Sequence, residues 1–99
     1  MGDVDFEQEL VRTFILSGND ELKNIRSALT NNDLQGIRRG AHCVKGASAG
    51  IRADRVNAAA ARLEAAAQPG GNESLANLFD ELALAIEQAI AHLRVHHAA

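Results

Sequence analysis

The stretch LANLFDELALAIEQAIAHL, residues 75–93, decides the fold class. Its apolar side chains return at steps of three and four residues, which is the spacing of one face of an α-helix. They are Leu75, Leu78, Phe79, Leu82, Ile86, Ile90 and Leu93. We predict a helix from about Leu75 to about His96. No segment alternates apolar and polar residues as a half-buried strand would, so the chain is predicted to be all-α.

Two further helices are predicted upstream, over about 33–50 and about 53–67. The turn formers QPGGN at 68–72 separate the second of these from the last helix. TNND at 30–33 precedes the first, and Asn32 or Asp33 is expected to cap it. Asn32 with Gln35 three residues later resembles a capping box.

The N-terminal region is expected to contain two helices. Phe6, Leu10 and Phe14 share one stripe, and SGND at 17–20 interrupts it with turn formers. A shorter helix should follow and end at TNND. Its apolar face would consist of Leu22, Ile25, Ala28 and Leu29.

Short connections between amphipathic helices favour antiparallel neighbours. The predicted fold is therefore an all-α, antiparallel four-helix bundle with a short extra N-terminal helix. A length of 99 residues suits one domain over 1–99.

Composition excludes several function classes. The chain has one cysteine and no tryptophan, which argues against a disulfide framework or a cysteine-based zinc site and suits a reducing compartment. Its formal charge of −3 is spread over interspersed acids and bases, so no nucleic-acid contact is expected. No apolar run is long enough to span a membrane, and the acidic start MGDVDFEQEL is unlike a signal peptide.

The stretch RRGAHCVKGASAGI, residues 38–51, covers most of the predicted helix over 33–50 and has three glycines. A glycine inside a helix costs up to about 1 kcal/mol relative to alanine. On a helical wheel the apolar side carries Ile37, Ala41, Val44, Ser48 and Ile51. His42 points to the opposite side, where its neighbours are Arg38, Arg39, Lys45, Gly46 and Ala49. Helix packing or a helix end accounts for Gly36, Gly40 and Gly50, whereas Gly46 lies on the histidine's own face and keeps it accessible.

An exposed imidazole with an ammonium one turn away fits a histidine that carries a phosphoryl group. The ring nitrogen is the nucleophile, and the Lys45 ammonium offsets charge on the phosphoryl oxygens. The sequence AHCVKGASAGIRA resembles the motif of histidine phosphotransfer (HPt) domains, approximately A-H-x-L-K-G-S/A-S-A-x-L/I-G-A. The likeness extends to the preceding NNDLQGIRRG and the following ARLE.

The resemblance assigns roles to three residues. His42 matches the phosphorylated histidine, Lys45 the lysine that steadies the phosphoryl group, and Gly46 the glycine that lets a receiver domain approach. Ser48 matches a small motif residue and is expected to pack or to bond back to its own helix. Arg52 stands where the family usually has glycine.

Glu64 is a candidate partner for His42. If the turn is centred near Ala53, each residue lies 11 positions from it, about 16 Å along its own helix, so an antiparallel pair brings them to one height. A carboxylate that accepts a hydrogen bond from Nδ1–H would leave the Nε2 lone pair free. Many HPt domains resemble this, with Glu or Gln at the matching position. The alternative is a solvated Glu64 beside a core Leu63.

The implied partners are response-regulator receiver domains and a hybrid sensor histidine kinase. The acidic pocket of a receiver would suit a contact surface made of Arg38, Arg39, Lys45, Gly46 and Ala49. The chain itself is expected to need no cofactor, with Mg²⁺ on the receiver only. It is expected in the cytoplasm, either free or as the C-terminal module of a membrane-bound sensor kinase, and without membrane contact of its own.

Other interpretations fit the sequence less well. A non-catalytic helical docking module would not require His42, Lys45, Gly46 and Glu64 at these spacings. A histidine-kinase dimerisation domain would place an acid after the histidine and Thr or Asn four residues beyond it, where Cys43 and Gly46 stand. No nucleotide-binding glycine loop is present, so an enzyme that phosphorylates itself from ATP is not expected.

Two further groups of residues are interpreted as non-functional. Cys43 lies about 100° from His42 on the wheel, too far for a catalytic pair, and is expected to pack. His92 and His96 have the i, i+4 spacing of metal ligands but no identifiable third ligand, so no metal site is predicted. Exposure, or interaction of these histidines with the helix dipole, is the simpler explanation.

Overall fold

The computed structural model contains four α-helices, and it describes the backbone of residues 2–97 and the side chains of residues 6 and 8–94. The helices are α1 (Gly2–Thr30), α2 (Leu34–Gly50), α3 (Asp54–Ala66) and α4 (Leu75–His97). Each helix packs against the next, and α4 closes the ring by packing against α1. No strand occurs over residues 2–97, so the predicted all-α bundle is confirmed.

The core forms where the apolar faces of the four helices meet. Its fully buried members come from every helix, and the largest of them are Phe14, Ile25, Ile37, Val44, Val56, Leu63, Leu82 and Ile86. Burial of one such side chain contributes about 1.5–3 kcal/mol relative to exposure. Among the described residues, no helix is both long enough and apolar enough to cross a membrane.

The predicted short extra N-terminal helix is wrong, because α1 runs unbroken for 29 residues. Phe14 and Ile25 are 11 residues apart, so only a continuous helix brings both to nearly the same face, and both are buried. Gly18, which was expected to mark a turn, is buried instead, and a Cβ placed there would lie 3.5 Å from Ile86 Cγ2. Close packing of α1 on α4 outweighs the weak local preference of SGND for a turn.

Helix α2 begins at a side-chain cap. Asp33 Oδ1 accepts a hydrogen bond from the Gly36 amide at 3.0 Å, so Asp33 and not Asn32 is the cap. Asn32 instead has a φ of +55°, a left-handed conformation that asparagine tolerates better than most residues. A three-residue connection thereby reverses the chain between α1 and α2.

The connection between α2 and α3 contains a strained residue. Arg52 has a φ of +58°, the left-handed region that glycine occupies without a Cβ penalty. The Arg52 and Ala53 amides donate to the carbonyls of Ala49 and Ser48, at 3.3 and 2.9 Å, and these bonds close the end of α2. The turn therefore forms without the usual glycine, at a cost in backbone strain.

Arg52→Gly is expected to stabilise the domain by about 0.5–1 kcal/mol, because release of left-handed strain exceeds the added entropy of the unfolded chain. The measurement is the free energy of unfolding in urea. Ala58→Gly, at an exposed position inside α3, is the control and should destabilise by about 1 kcal/mol. A lower free energy of unfolding in both variants would contradict a strained turn at Arg52.

Candidate functional site

His42 projects from the outer face of α2. Its side chain is 68% exposed, whereas Ala41 and Val44 on the opposite side of the helix are buried. The helical wheel predicts this division, and the structure confirms it. The imidazole is thus presented to solvent by a helix whose other face is anchored in the core.

Glu64 joins His42 to Lys45. Glu64 Oε2 lies 2.8 Å from His42 Nδ1, and Glu64 Oε1 lies 2.7 Å from Lys45 Nζ. Lys45 follows His42 by nearly one turn of α2, and Glu64 faces both from α3. The predicted meeting of Glu64 with His42 is present, and the carboxylate also binds the lysine.

The carboxylate determines which ring nitrogen carries the proton. An ionised carboxylate can only accept hydrogen bonds, so Nδ1 of a neutral His42 ring must be the donor. The proton is then on Nδ1, and Nε2 holds a lone pair. Among the contacts of the described residues, none is a hydrogen bond to Nε2. The arrangement therefore exposes a nucleophilic nitrogen.

The surroundings of Glu64 keep it ionised. The hydrogen bond from Lys45 lowers the pKa of Glu64, and the hydrogen bond from His42 and the charges of both partners lower it further. Partial burial acts in the opposite direction without reversing the shift. At neutral pH Glu64 is thus an anion held between two cationic or proton-donating groups.

This shift predicts how stability depends on acid. The pKa of Glu64 is lower in the folded state than in the unfolded chain, so the bridge stabilises the fold above the unfolded value, about 4.3. That contribution should be lost as pH falls through the lower native value. Urea unfolding across acidic pH is the measurement, and Glu64→Gln should remove this component of the pH dependence. An unchanged acid profile in Glu64→Gln would show that the bridge does not contribute to stability.

Two side chains converge on the backbone carbonyl of Lys45. Ser48 Oγ donates to it from within α2 at 2.9 Å, as its predicted bond back to the helix requires. Asn57 Nδ2 donates to it from α3, also at 2.9 Å. Asn57 was not predicted from the sequence, although a single amide beside the alanines of α3 is a usable signal.

The residues proposed for partner contact differ in their surroundings. Arg39, Gly46 and Ala49 are exposed, and a Cβ added at Gly46 would meet no atom within 4 Å. Arg38 is half-buried, and its Nη1 donates to the Ala67 carbonyl at 2.6 Å. Gly40 is a packing residue, because a Cβ there would collide with Ile25.

Cys43 is exposed, so the expectation that it is a packing residue is wrong. It lines a groove of about 410 Å³ between α1 and α2, beside Arg39 and Gly40. On the helical wheel residue 43 lies between the face of His42 and the apolar face, so packing of α2 against α1 leaves it accessible. Within the described residues, no three potential ligands lie close enough to hold a metal ion. The side chains of His96 and His97 lie outside those residues.

A model of the Hpt domain family matches residues 9–94, which include α2, α3, residues 9–30 of α1 and residues 75–94 of α4. No curated protein and no solved structure matches the chain significantly.

Proposed function

The chain belongs to the Hpt domain family, and on this premise we propose that His42 is the residue that carries the phosphoryl group. Hpt domains are phosphocarriers of two-component phosphorelays and not enzymes in their own right. In the proposed reaction His42 accepts the group from a receiver aspartate or a kinase and passes it to another receiver aspartate. The observation that carries the proposal is the hydrogen bond between His42 Nδ1 and Glu64, which leaves the exposed Nε2 free.

The transfer step follows from this geometry. The Nε2 lone pair attacks the phosphorus of an aspartyl phosphate, the Nε2–P bond forms, and the P–O bond to the aspartate breaks. The aspartate carboxylate leaves with the electron pair, and the Nδ1 proton stays on the ring. The ring gains positive charge in this step, and the Glu64 carboxylate 2.8 Å from Nδ1 stabilises that charge. The reverse sequence delivers the group to the next receiver.

Lys45 contributes charge on the phosphoryl side. Its ammonium bonds Glu64 Oε1, and its side chain is about one-third exposed. A flexible lysine can reorient from one oxygen anion to another, because its ammonium is a compact charge on a long stem. We propose that Lys45 turns toward the phosphoryl oxygens when the group arrives.

The partner surface in this proposal surrounds the imidazole. Arg39 and Lys45 supply positive charge, and Gly46 and Ala49 leave space for a receiver whose phosphorylation site is acidic. Such complementarity raises the association rate more than the affinity. The Mg²⁺ required for aspartate chemistry would be held by the receiver, and the donor would be a hybrid sensor kinase in the cytoplasm.

The test is transfer of a labelled phosphoryl group to the purified domain from phosphorylated receiver domains. We expect label on the domain with the acid lability and alkali stability of a phosphoramidate, mapped by mass spectrometry to the peptide that contains His42. A folded domain that binds receivers but gains no label would overturn the proposal in favour of a docking module.

A further inference from the structure

Two hydrogen bonds between α2 and α3 flank the imidazole–carboxylate contact. Each joins a side chain of one helix to a backbone carbonyl of the other. Arg38, one turn before the histidine on α2, donates to the carbonyl of Ala67 at the end of α3. Asn57, near the start of α3, donates to the carbonyl of Lys45 in α2. Together they link both ends of the α2–α3 pair.

Apolar packing alone defines the position of α3 weakly. Six of its 13 residues are alanine, and its buried side chains are Val56, Ala60 and Leu63. Alanine side chains give low ridges, so they restrict sliding and rotation of α3 on its neighbours less than larger side chains would. Directional polar contacts restrict such movement.

The two bonds have different physical origins. The Ala67 carbonyl is among the last carbonyls of α3, which have no donor within the helix, and the Arg38 guanidinium supplies a charged one. The Lys45 carbonyl lies inside α2 and already accepts the Ser48 hydroxyl. The Asn57 amide is therefore not required to satisfy that carbonyl. Its effect is to hold α3 against α2 at the residue that carries the ammonium.

The imidazole–carboxylate contact has little tolerance for displacement. It measures 2.8 Å, and a slide of α3 by one residue, about 1.5 Å, would lengthen it to between about 3.2 and about 4.3 Å, depending on the direction of the slide, which weakens or breaks the bond. We infer that Arg38 and Asn57 are positioning residues, which set the register of α2 on α3 and so hold Glu64 against His42 and Lys45. The inference rests on the proposed function only for its consequence on phosphoryl transfer.

The test is the state of the imidazole in Arg38→Gln and in Asn57→Ala. Long-range ¹H–¹⁵N spectra at about pH 8.5, well above the ordinary histidine pKa, measure the two tautomers of the neutral ring. In wild type the Nδ1–H tautomer of His42 should dominate, and in each variant the Nε2–H form should increase. The ¹³C titration of the Glu64 carboxyl should show its pKa rising toward the ordinary value.

Two matched controls separate positioning from general stability. Ser48→Ala removes a donor to the same Lys45 carbonyl but from within α2, and Arg39→Gln removes the neighbouring exposed arginine. Both should retain the wild-type tautomer and Glu64 titration, even if Ser48→Ala lowers the urea midpoint. Wild-type spectra in folded Arg38→Gln and Asn57→Ala would overturn the inference, as would an equal tautomer change in Ser48→Ala.

These spectra do not depend on phosphoryl transfer. A wild-type domain that accepts no phosphoryl group would end the proposed function and leave the positioning role standing. If transfer does occur, the two positioning variants should slow it roughly 10- to 100-fold, because small displacements of reacting groups are costly. An unchanged transfer rate together with a changed tautomer would contradict the catalytic consequence alone.

Discussion

His42→Gln is expected to abolish phosphoryl acceptance and to leave the fold intact. The glutamine amide nitrogen has no available lone pair, so the variant lacks the nucleophile, and label should fall below detection. The substitution changes an exposed side chain, 68% accessible in wild type, and the glutamine amide can still donate a hydrogen bond to Glu64, whose bond from Lys45 is unaffected, so the fold should be retained. Label transfer from a phosphorylated receiver and urea unfolding are the two measurements.

His92→Gln is the matched control for this variant. His92 is exposed on α4, where it lines a groove with the first residues of α3 and takes no part in the cluster of His42, Glu64 and Lys45, so its replacement should leave transfer at the wild-type rate. Persistent label in His42→Gln would place the phosphorylation site elsewhere. Equal loss of label in both variants would indicate a general effect of histidine replacement and contradict a specific role for His42.

The fold class and the central contact of the site could be predicted because both follow from helical spacing. The apolar residues of α4 return every three or four positions, and the wheel for α2 separates His42 from Val44. Counting equal distances from the turn near Ala53 places Glu64 opposite His42, since each residue of a helix rises by about 1.5 Å. Each of these predictions uses only local periodicity and one chain reversal.

The remaining features depend on tertiary contacts that spacing does not contain. The continuity of α1 at Gly18 is set by its approach to Ile86 on α4, a contact between distant parts of the chain. The acceptor of Arg38 is the backbone of Ala67, and any residue there would present the same carbonyl. A backbone acceptor does not depend on residue type and cannot be recognised in the sequence, so the role of Arg38 is evident only in the fold.

The bridge made by Glu64 links the stability of the domain to its chemistry. The carboxylate that orients the imidazole is the same one that pairs with the Lys45 ammonium. A phosphoryl group on Nε2 would compete with Glu64 for that ammonium, because both offer oxygen anions. The hydrogen bond to Nδ1 does not involve Lys45 and can persist during this exchange. In the proposed mechanism, orientation of the ring and neutralisation of the phosphoryl charge are therefore separable functions of one cluster.

Gly46→Gln is expected to slow phosphoryl acceptance roughly 100-fold while making the domain more stable. Gly46 lies on the histidine's face, one turn beyond it, and a Cβ there would meet no atom of the domain within 4 Å. The free domain therefore accommodates glutamine, and the helix gains about 0.5–1 kcal/mol from the better helix former. In the complex the added side chain would occupy space that the receiver needs, and small displacements of reacting atoms reduce rates by about this factor.

Gly50→Gln isolates the effect of access. Gly50 also has no atom within 4 Å of an added Cβ, but it lies at the end of α2, about 12 Å along the helix from His42. The substitution is the same, so its effect on transfer should be small if obstruction near the imidazole is what matters. Rates are to be measured with one phosphorylated receiver in excess, beside urea unfolding of both variants. A wild-type rate in Gly46→Gln would refute the access argument, and equal slowing in both variants would assign the effect to α2 as a whole.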